Sequence, residues 1–142
     1  IVYAVIVQGG FTFLGLFLGP LLVDTVRRRY VVAAREPRIY AVLGADALRR
    51  FLGRVGWNRA IDSMREQEPG RTRLERQVRG TELSETGHAV GGIATVLLAM
   101  AAAIANHLVG AGQILLIGIL VHAYPIMIQR IVRNRILRHS RR

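Results

Sequence analysis

Residues 85–135 read ETGHAVGGIATVLLAMAAAIANHLVGAGQILLIGILVHAYPIMIQRIVRNR. Between Glu85 and Arg130 there is no Asp, Glu, Lys or Arg, and the titratable side chains inside this run are His88, His107, His122 and Tyr124. At ~1.5 Å rise per residue, a segment of about 20 apolar residues crosses the ~30 Å hydrocarbon layer once. The run therefore predicts two spans, about 88–107 and about 113–129, joined by a polar loop over His107–Gly112. Such a hairpin returns both polar ends, Glu85 with His88 and Gln129 with Arg130, to one membrane face.

Working outward, the charges of the 142-residue chain are segregated rather than interspersed. Residues 1–23 carry none, 24–85 carry all nine acids, 86–129 carry none, and 130–142 are strongly basic. A soluble domain mixes charge into each helix surface. Apolar blocks of spanning length indicate an all-α integral membrane protein with three transmembrane helices and an interfacial amphipathic helix. The whole chain reads as one membrane domain. The net charge of +11 comes from twenty arginines and no lysine. Because these residues flank spans, they are topology signals and anionic-lipid contacts rather than a nucleic-acid surface. With no cysteine, there is neither a disulfide framework nor thiolate chemistry. The chain starts at Ile1 inside an apolar run, so a leading segment is expected before it. That run lacks the basic n-region of a cleaved signal peptide.

The first span is residues 1–23, apolar apart from Gln8 and Thr12. Gly15 and Gly19 form a G-x-x-x-G pair suited to close helix approach, and Pro20 predicts a kink or break near the membrane exit. The interfacial and cytoplasmic segment covers about 24–87. It opens with a basic belt, Arg27–Arg29, next to Tyr30. Over about 39–64, Leu43, Ala47, Phe51 and Val55 recur at helical spacing, with Arg49, Arg50, Arg54 and Arg59 on other faces. That pattern predicts an amphipathic helix in the interface, with Tyr40 and Trp57 at the same depth. Residues 65–80 contain Pro69-Gly70 and predict a turn followed by a short charged helix outside the membrane. All arginines then fall on the cytoplasmic side, the N-terminus outside. Three short spans bury little surface, so a homo-oligomer or a larger membrane complex is expected, with Gly15 and Gly19 as the residues pointing to an interface.

With the loop centred near Gly110, matching depths sets His88 level with Ile131 and Glu85 level with Arg133–Arg135. Glu85, His88, Gln129, Arg130 and Arg133 then share one layer at the cytoplasmic boundary. Glu85 and His88, three apart, lie on one helix face. A carboxylate beside an imidazole favours one tautomer and raises its basicity, as a general base requires. Planar guanidinium forks suit phosphate or carboxylate groups. The combination fits transfer between a soluble anionic donor and a membrane lipid. The pair also has a plainer reading, as the solvated first turn of a helix. E-x-x-H is, further, half of a carboxylate-bundle metal pattern, but a single copy gives no dinuclear site and no metal is expected. His107 reads as loop and His139 as solvated tail. His122, inside the third span, reads either as a site residue or as a buried structural hydrogen-bonder. Pro125 frees a backbone carbonyl beside it.

At these residues the sequence resembles the glycosyl-4,4′-diaponeurosporenoate acyltransferase family of small bacterial membrane proteins. The likeness is carried by Thr81, Glu85 and His88 in a T-x-x-x-E-x-x-H pattern and by Gln129, Arg130, Arg133 and Arg135 in Q-R-x-x-R-x-R. It extends to aromatic and basic residues around Tyr40, Phe51 and Trp57–Arg59, and so covers most of the chain from about Arg27. The chain departs from the family pattern at His122, where the family has Asn, at Pro125, displaced by one, and after His88, where a Trp is missing. The resemblance implies transfer of a fatty acyl group to a sugar hydroxyl of a glycolipid or glycosylated carotenoid in the bacterial cell membrane. It implies His88 as base, Glu85 as its orienting partner, and Arg130 with Arg133 on the phosphates of acyl-CoA or a similar donor, with no further cofactor. Two rivals stand beside it. One is a non-catalytic membrane subunit or lipid-binding module. The other is a metal-assisted hydrolase using Glu85, His88 and His122, which an ideal hairpin disfavours because it sets His122 several turns from His88.

Overall fold

A computed structural model describes residues 1–24, 27–56 and 72–140, and every regular element among them is helical. Helix α1 is Val2–Leu22, followed by a 3-10 turn at Arg27–Tyr30, α2 at Glu36–Val42 and α3 at Ala45–Arg54. Helix α4 is Arg73–Ile104, and α5 is Leu108–His139 with a π-helical turn at Ile119–Ala123. Helices α1, α4 and α5 are long and apolar enough to cross a membrane. The all-helical, three-span reading of the sequence is the architecture found.

The boundaries differ in instructive ways. The charged segment and the second span, expected as separate pieces, are one 32-residue helix. Thr72 starts it with a reciprocal capping box: Glu75 N–H donates to Thr72 Oγ1 at 3.3 Å, and Thr72 N–H donates to Glu75 Oε2 at 2.9 Å. A helix nucleated there has no reason to stop before the apolar run, and Arg79 pairs with Glu82 along it. Glu85 and His88 are therefore mid-helix, which removes the reading of them as a solvated first turn.

The loop expected over His107–Gly112 is also much shorter. Asn106 takes a left-handed φ of 61°, His107 N–H donates to Ala102 O, and Asn106 N–H donates to Ala103 O. This Schellman closure ends α4 within three residues, so α5 begins at Leu108 and absorbs Gly110 and Gly112. The third span likewise does not stop at Gln129, and the basic tail continues as helix to His139.

The expected interfacial helix is two short ones, divided at Gly44, whose φ of 83° no helix interior accepts. Trp57 and Arg59 lie outside the described residues, as does Pro69-Gly70. Pro20 does not end α1, which runs on to Leu22.

The chain divides into two compact units, one of residues 1–27 and 83–126, the other of residues 28–82 and 127–142. In the first, Ala4, Ala99, Ala111 and Ile114 form a small-residue core flanked by Leu98, Ala102, Ala103 and Ile117. Hydrocarbon offers no hydrophobic drive to join helices, so close packing of small residues and interhelical hydrogen bonds hold such a unit. Gly15 shows how close the packing is, since a β-carbon there would fall on the backbone of Gly87 in α4. Gly19 approaches the same helix at Leu83 and Gly87. The G-x-x-x-G pair is thus engaged within the chain, and is not a free interface for a second copy. Gly15→Ala should lower stability by about 1–3 kcal/mol through overpacking. Gly9→Ala, with nothing within 4 Å of the added carbon, should leave it unchanged. Thermal unfolding in detergent checks this, equal losses for the two variants counting against the crossing.

Candidate active site

Three spanning helices place one polar cluster in the first unit. Gln8, on α1, is 1% exposed in a helix otherwise nearly devoid of polar side chains. Its Nε2 donates to the carbonyl of Ile114 on α5 at 3.0 Å. A carbonyl can only accept, so this bond fixes the amide orientation and leaves Oε1 as acceptor on the other side. There it meets Nε2 of His122 at 2.8 Å and Oγ1 of Thr95 at 2.8 Å. Thr95 has one proton to divide between Gln8 Oε1 and the Gly91 carbonyl, also 2.8 Å away. His122, 1% exposed, must therefore carry its proton on Nε2 and, when neutral, a lone pair on Nδ1.

That lone pair faces Nδ1 of His88 across 3.4 Å, a long contact, with ring centroids 5.6 Å apart. His88 accordingly presents an Nδ1–H to His122, which puts the lone pair of its neutral form on Nε2. A second acceptor for His88 is the backbone carbonyl of Val121. The reason that carbonyl is available is Pro125, four residues on, which has no N–H to bond it and whose ring crowds it. The π-helical turn at Ile119–Ala123 directly precedes this proline and carries His122. Two glycines make room. A β-carbon on Gly91 would fall in the His122 ring, and one on Gly118 would strike the Thr95 methyl.

This geometry corrects the depth matching. With the turn at Asn106 rather than Gly110, His88 meets His122, not Ile131, and the two rings are neighbours rather than several turns apart. The ring partner found for His88 is His122. Glu85, expected to orient His88, is 1% exposed in α4 one turn earlier. Gln8 and Thr95 were missed as site residues, although an amide in a charge-free span is itself a signal. Among the described residues no three metal-binding side chains converge.

The second unit holds the remaining predicted residues. Arg130 grips Glu36 through both oxygens, Nε to Oε2 at 2.7 Å and Nη2 to Oε1 at 3.0 Å. The same guanidinium donates to the carbonyls of Arg29 at 2.8 Å and Val31 at 3.1 Å. Its fork is committed to the fold, ninety-four residues away in sequence from Glu36, and is poorly disposed to take phosphates. Arg133 is 1% exposed and lies 5.1 Å from the centre of the Tyr30 ring, itself buried. Arg135 is the accessible one: it pairs with Asp46 at 3.0 Å and lines a shallow cavity with Gln77, His139 and Ser140. Gln129 is half-buried on α5. His107 is exposed at the start of α5, and His139 Nδ1 lies 3.0 Å from the Arg135 carbonyl.

The hydrogen bond from Arg130 holds the Glu36 carboxyl below its ordinary 4.5, against the opposing effect of partial burial. A depressed carboxyl stabilises the fold above its unfolded value and loses that contribution as pH falls through the folded one. The melting temperature should therefore drop as pH is lowered below about 4.5. The drop should be smaller in Glu36→Gln; an identical profile in both proteins would contradict the pairing.

Residues 25–142, which carry His88, His122 and the Gln129, Arg130, Arg133 and Arg135 pattern, match the family model of glycosyl-4,4′-diaponeurosporenoate acyltransferases. No curated protein and no solved structure gives a significant match. Gln8 and the rest of α1 precede the matched segment. The chain belongs to the glycosyl-4,4′-diaponeurosporenoate acyltransferase family.

Proposed function

We propose that the protein transfers a fatty acyl group from a thioester donor such as acyl-CoA to a sugar hydroxyl of a glycosylated carotenoid or similar membrane glycolipid. The observation that carries the reading is the Gln8–His122–His88 chain, which directs the His88 Nδ1–H at His122 and so puts the lone pair of the neutral ring on Nε2, the nitrogen that would act as the base. In the transfer, His88 Nε2 takes the proton of the sugar hydroxyl as its oxygen attacks the thioester carbonyl carbon. The carbon–sulfur bond then breaks, and the proton passes from His88 to the departing thiolate, leaving an ester and a free thiol. Glu85, one helical turn from His88, favours the positive charge that His88 holds between the two proton transfers.

Arg130 belongs to the scaffold in this reading. Arg135 is the exposed member of the motif, with Arg138 nearby on the same helix, and a planar guanidinium of this kind suits an anion. The arginine-bearing segments face the cytoplasm, where a soluble acyl donor is present, in keeping with the bias of basic residues to that side. Purified protein given long-chain acyl-CoA and a glycosylated carotenoid should form the acyl ester. His88→Ala should slow that reaction by about 10²–10⁴-fold, the usual contribution of a positioned base. A His88→Ala protein that is folded and as active as the parent overturns this role.

A further inference from the structure

The spans α4 and α5 enclose a groove of about 430 Å³, with no charged side chain in its lining. Its walls are Ile93, Val96 and Leu97 from α4 and Leu115, Ile119 and Ile126 from α5. Several of these stand well out of the protein, Ile93 at 63% and Leu97 at 61% exposure, so the walls are tall. The floor is low because Gly92 and Gly118 contribute no side chain there. From Leu115 to Ile126 it runs along eleven residues of helix, about 16 Å.

The two ends are chemically different. Gly91 and Gly92 pack at His122, and Thr95 packs at Gly118, so α4 and α5 run antiparallel here. One end, by Ala89, His122 and Ala123, therefore adjoins the histidine pair. The other, by Leu97 and Leu115, points toward the Asn106 turn and is wholly apolar.

We propose that this groove holds the fatty acyl chain of the donor, its carbonyl end at His122 and its methyl end between Leu97 and Leu115. A flexible unbranched chain is the occupant that suits a slot this long, open along one side and polar at one end only. The assignment rests on the acyltransferase reading for its choice of ligand. A chain seated so would bring its thioester to the histidine end and carry the rest away along the groove. Gly92 is the position that controls the space. A β-carbon there meets only the His122 β-carbon, at 3.8 Å, so a side chain can be added without disturbing the helix pair, and a leucine would lie in the groove.

The test is photolabelling of the protein in nanodiscs with palmitoyl-CoA bearing a diazirine at the methyl end of the chain. Label should concentrate at residues 96–97 and 115–119, and unlabelled palmitoyl-CoA should compete it away. Gly92→Leu should cut the labelling about tenfold or more, a loss of at least ~1.4 kcal/mol of binding. The Gly92→Ala variant verifies that the site tolerates a β-carbon. Gly112→Leu, at a position with nothing within 4 Å, should label like the parent. Label spread evenly over Ile6, Phe13 and Phe17 of α1, as bulk lipid contact would give, overturns the proposal. So does labelling displaced by a glycosylated carotenoid but not by palmitoyl-CoA, which would assign the groove to the acceptor. Labelling is read without turnover, so a groove that labels in a protein without acyl transfer sinks the reaction and not the site. Normal transfer with unlabelled groove residues does the reverse.

Discussion

An amide in the middle of a membrane-spanning helix has no water to bond, so its partners must come from the protein itself. Gln8 meets that constraint with three contacts, to Ile114, Thr95 and His122, and in doing so ties α1 to both other spans. The directions of these bonds do more than hold the helices. The Ile114 carbonyl orients the amide, the amide sets the proton on His122, and His122 sets the proton on His88. An interaction needed for packing thus also decides which nitrogen of His88 carries the lone pair. Gly91 and Gly118 belong to the same arrangement, because only residues without a β-carbon allow the ring and the Thr95 methyl to reach it.

Much of this was legible in the sequence, and the errors have physical causes. Segregated charge identified three spans, and the E-x-x-H and Q-R-x-x-R-x-R patterns identified the family. The register of the hairpin was misread because Gly110 and Gly112 look like loop residues, whereas the turn is made by Asn106 in the left-handed region. A shift of about four residues in the loop centre moved the expected partner of His88 from His122 to Ile131. Pro125 was recognised as freeing a carbonyl, but the π-helical turn ahead of it depends on local backbone geometry that residue spacing does not reveal. Gln8 was visible as a lone amide in an apolar helix. Its partners, 87 to 114 residues away, were not.

The arginines illustrate a different limit. Arg130 belongs to the most family-specific motif of the chain, which invites a role in binding substrate. Its bidentate pairing with Glu36, together with two backbone carbonyls, shows a guanidinium fork used to fasten residues 29–36 to α5. Charge and motif membership alone do not separate such a staple from a ligand-binding arginine. Geometry does, and it leaves Arg135 as the exposed member. The same holds for G-x-x-x-G at Gly15 and Gly19, whose partner is α4 of the same chain.

The most direct test of the central claim is the tautomeric state of the two rings, read from ¹⁵N chemical shifts of histidine-labelled protein in micelles at neutral pH. His122 should be in the Nε2–H form and His88 in the Nδ1–H form, with Gln8→Leu releasing both to a mixture. Finding the Nδ1–H form at His122, or no response of either ring to Gln8→Leu in a folded protein, would contradict it.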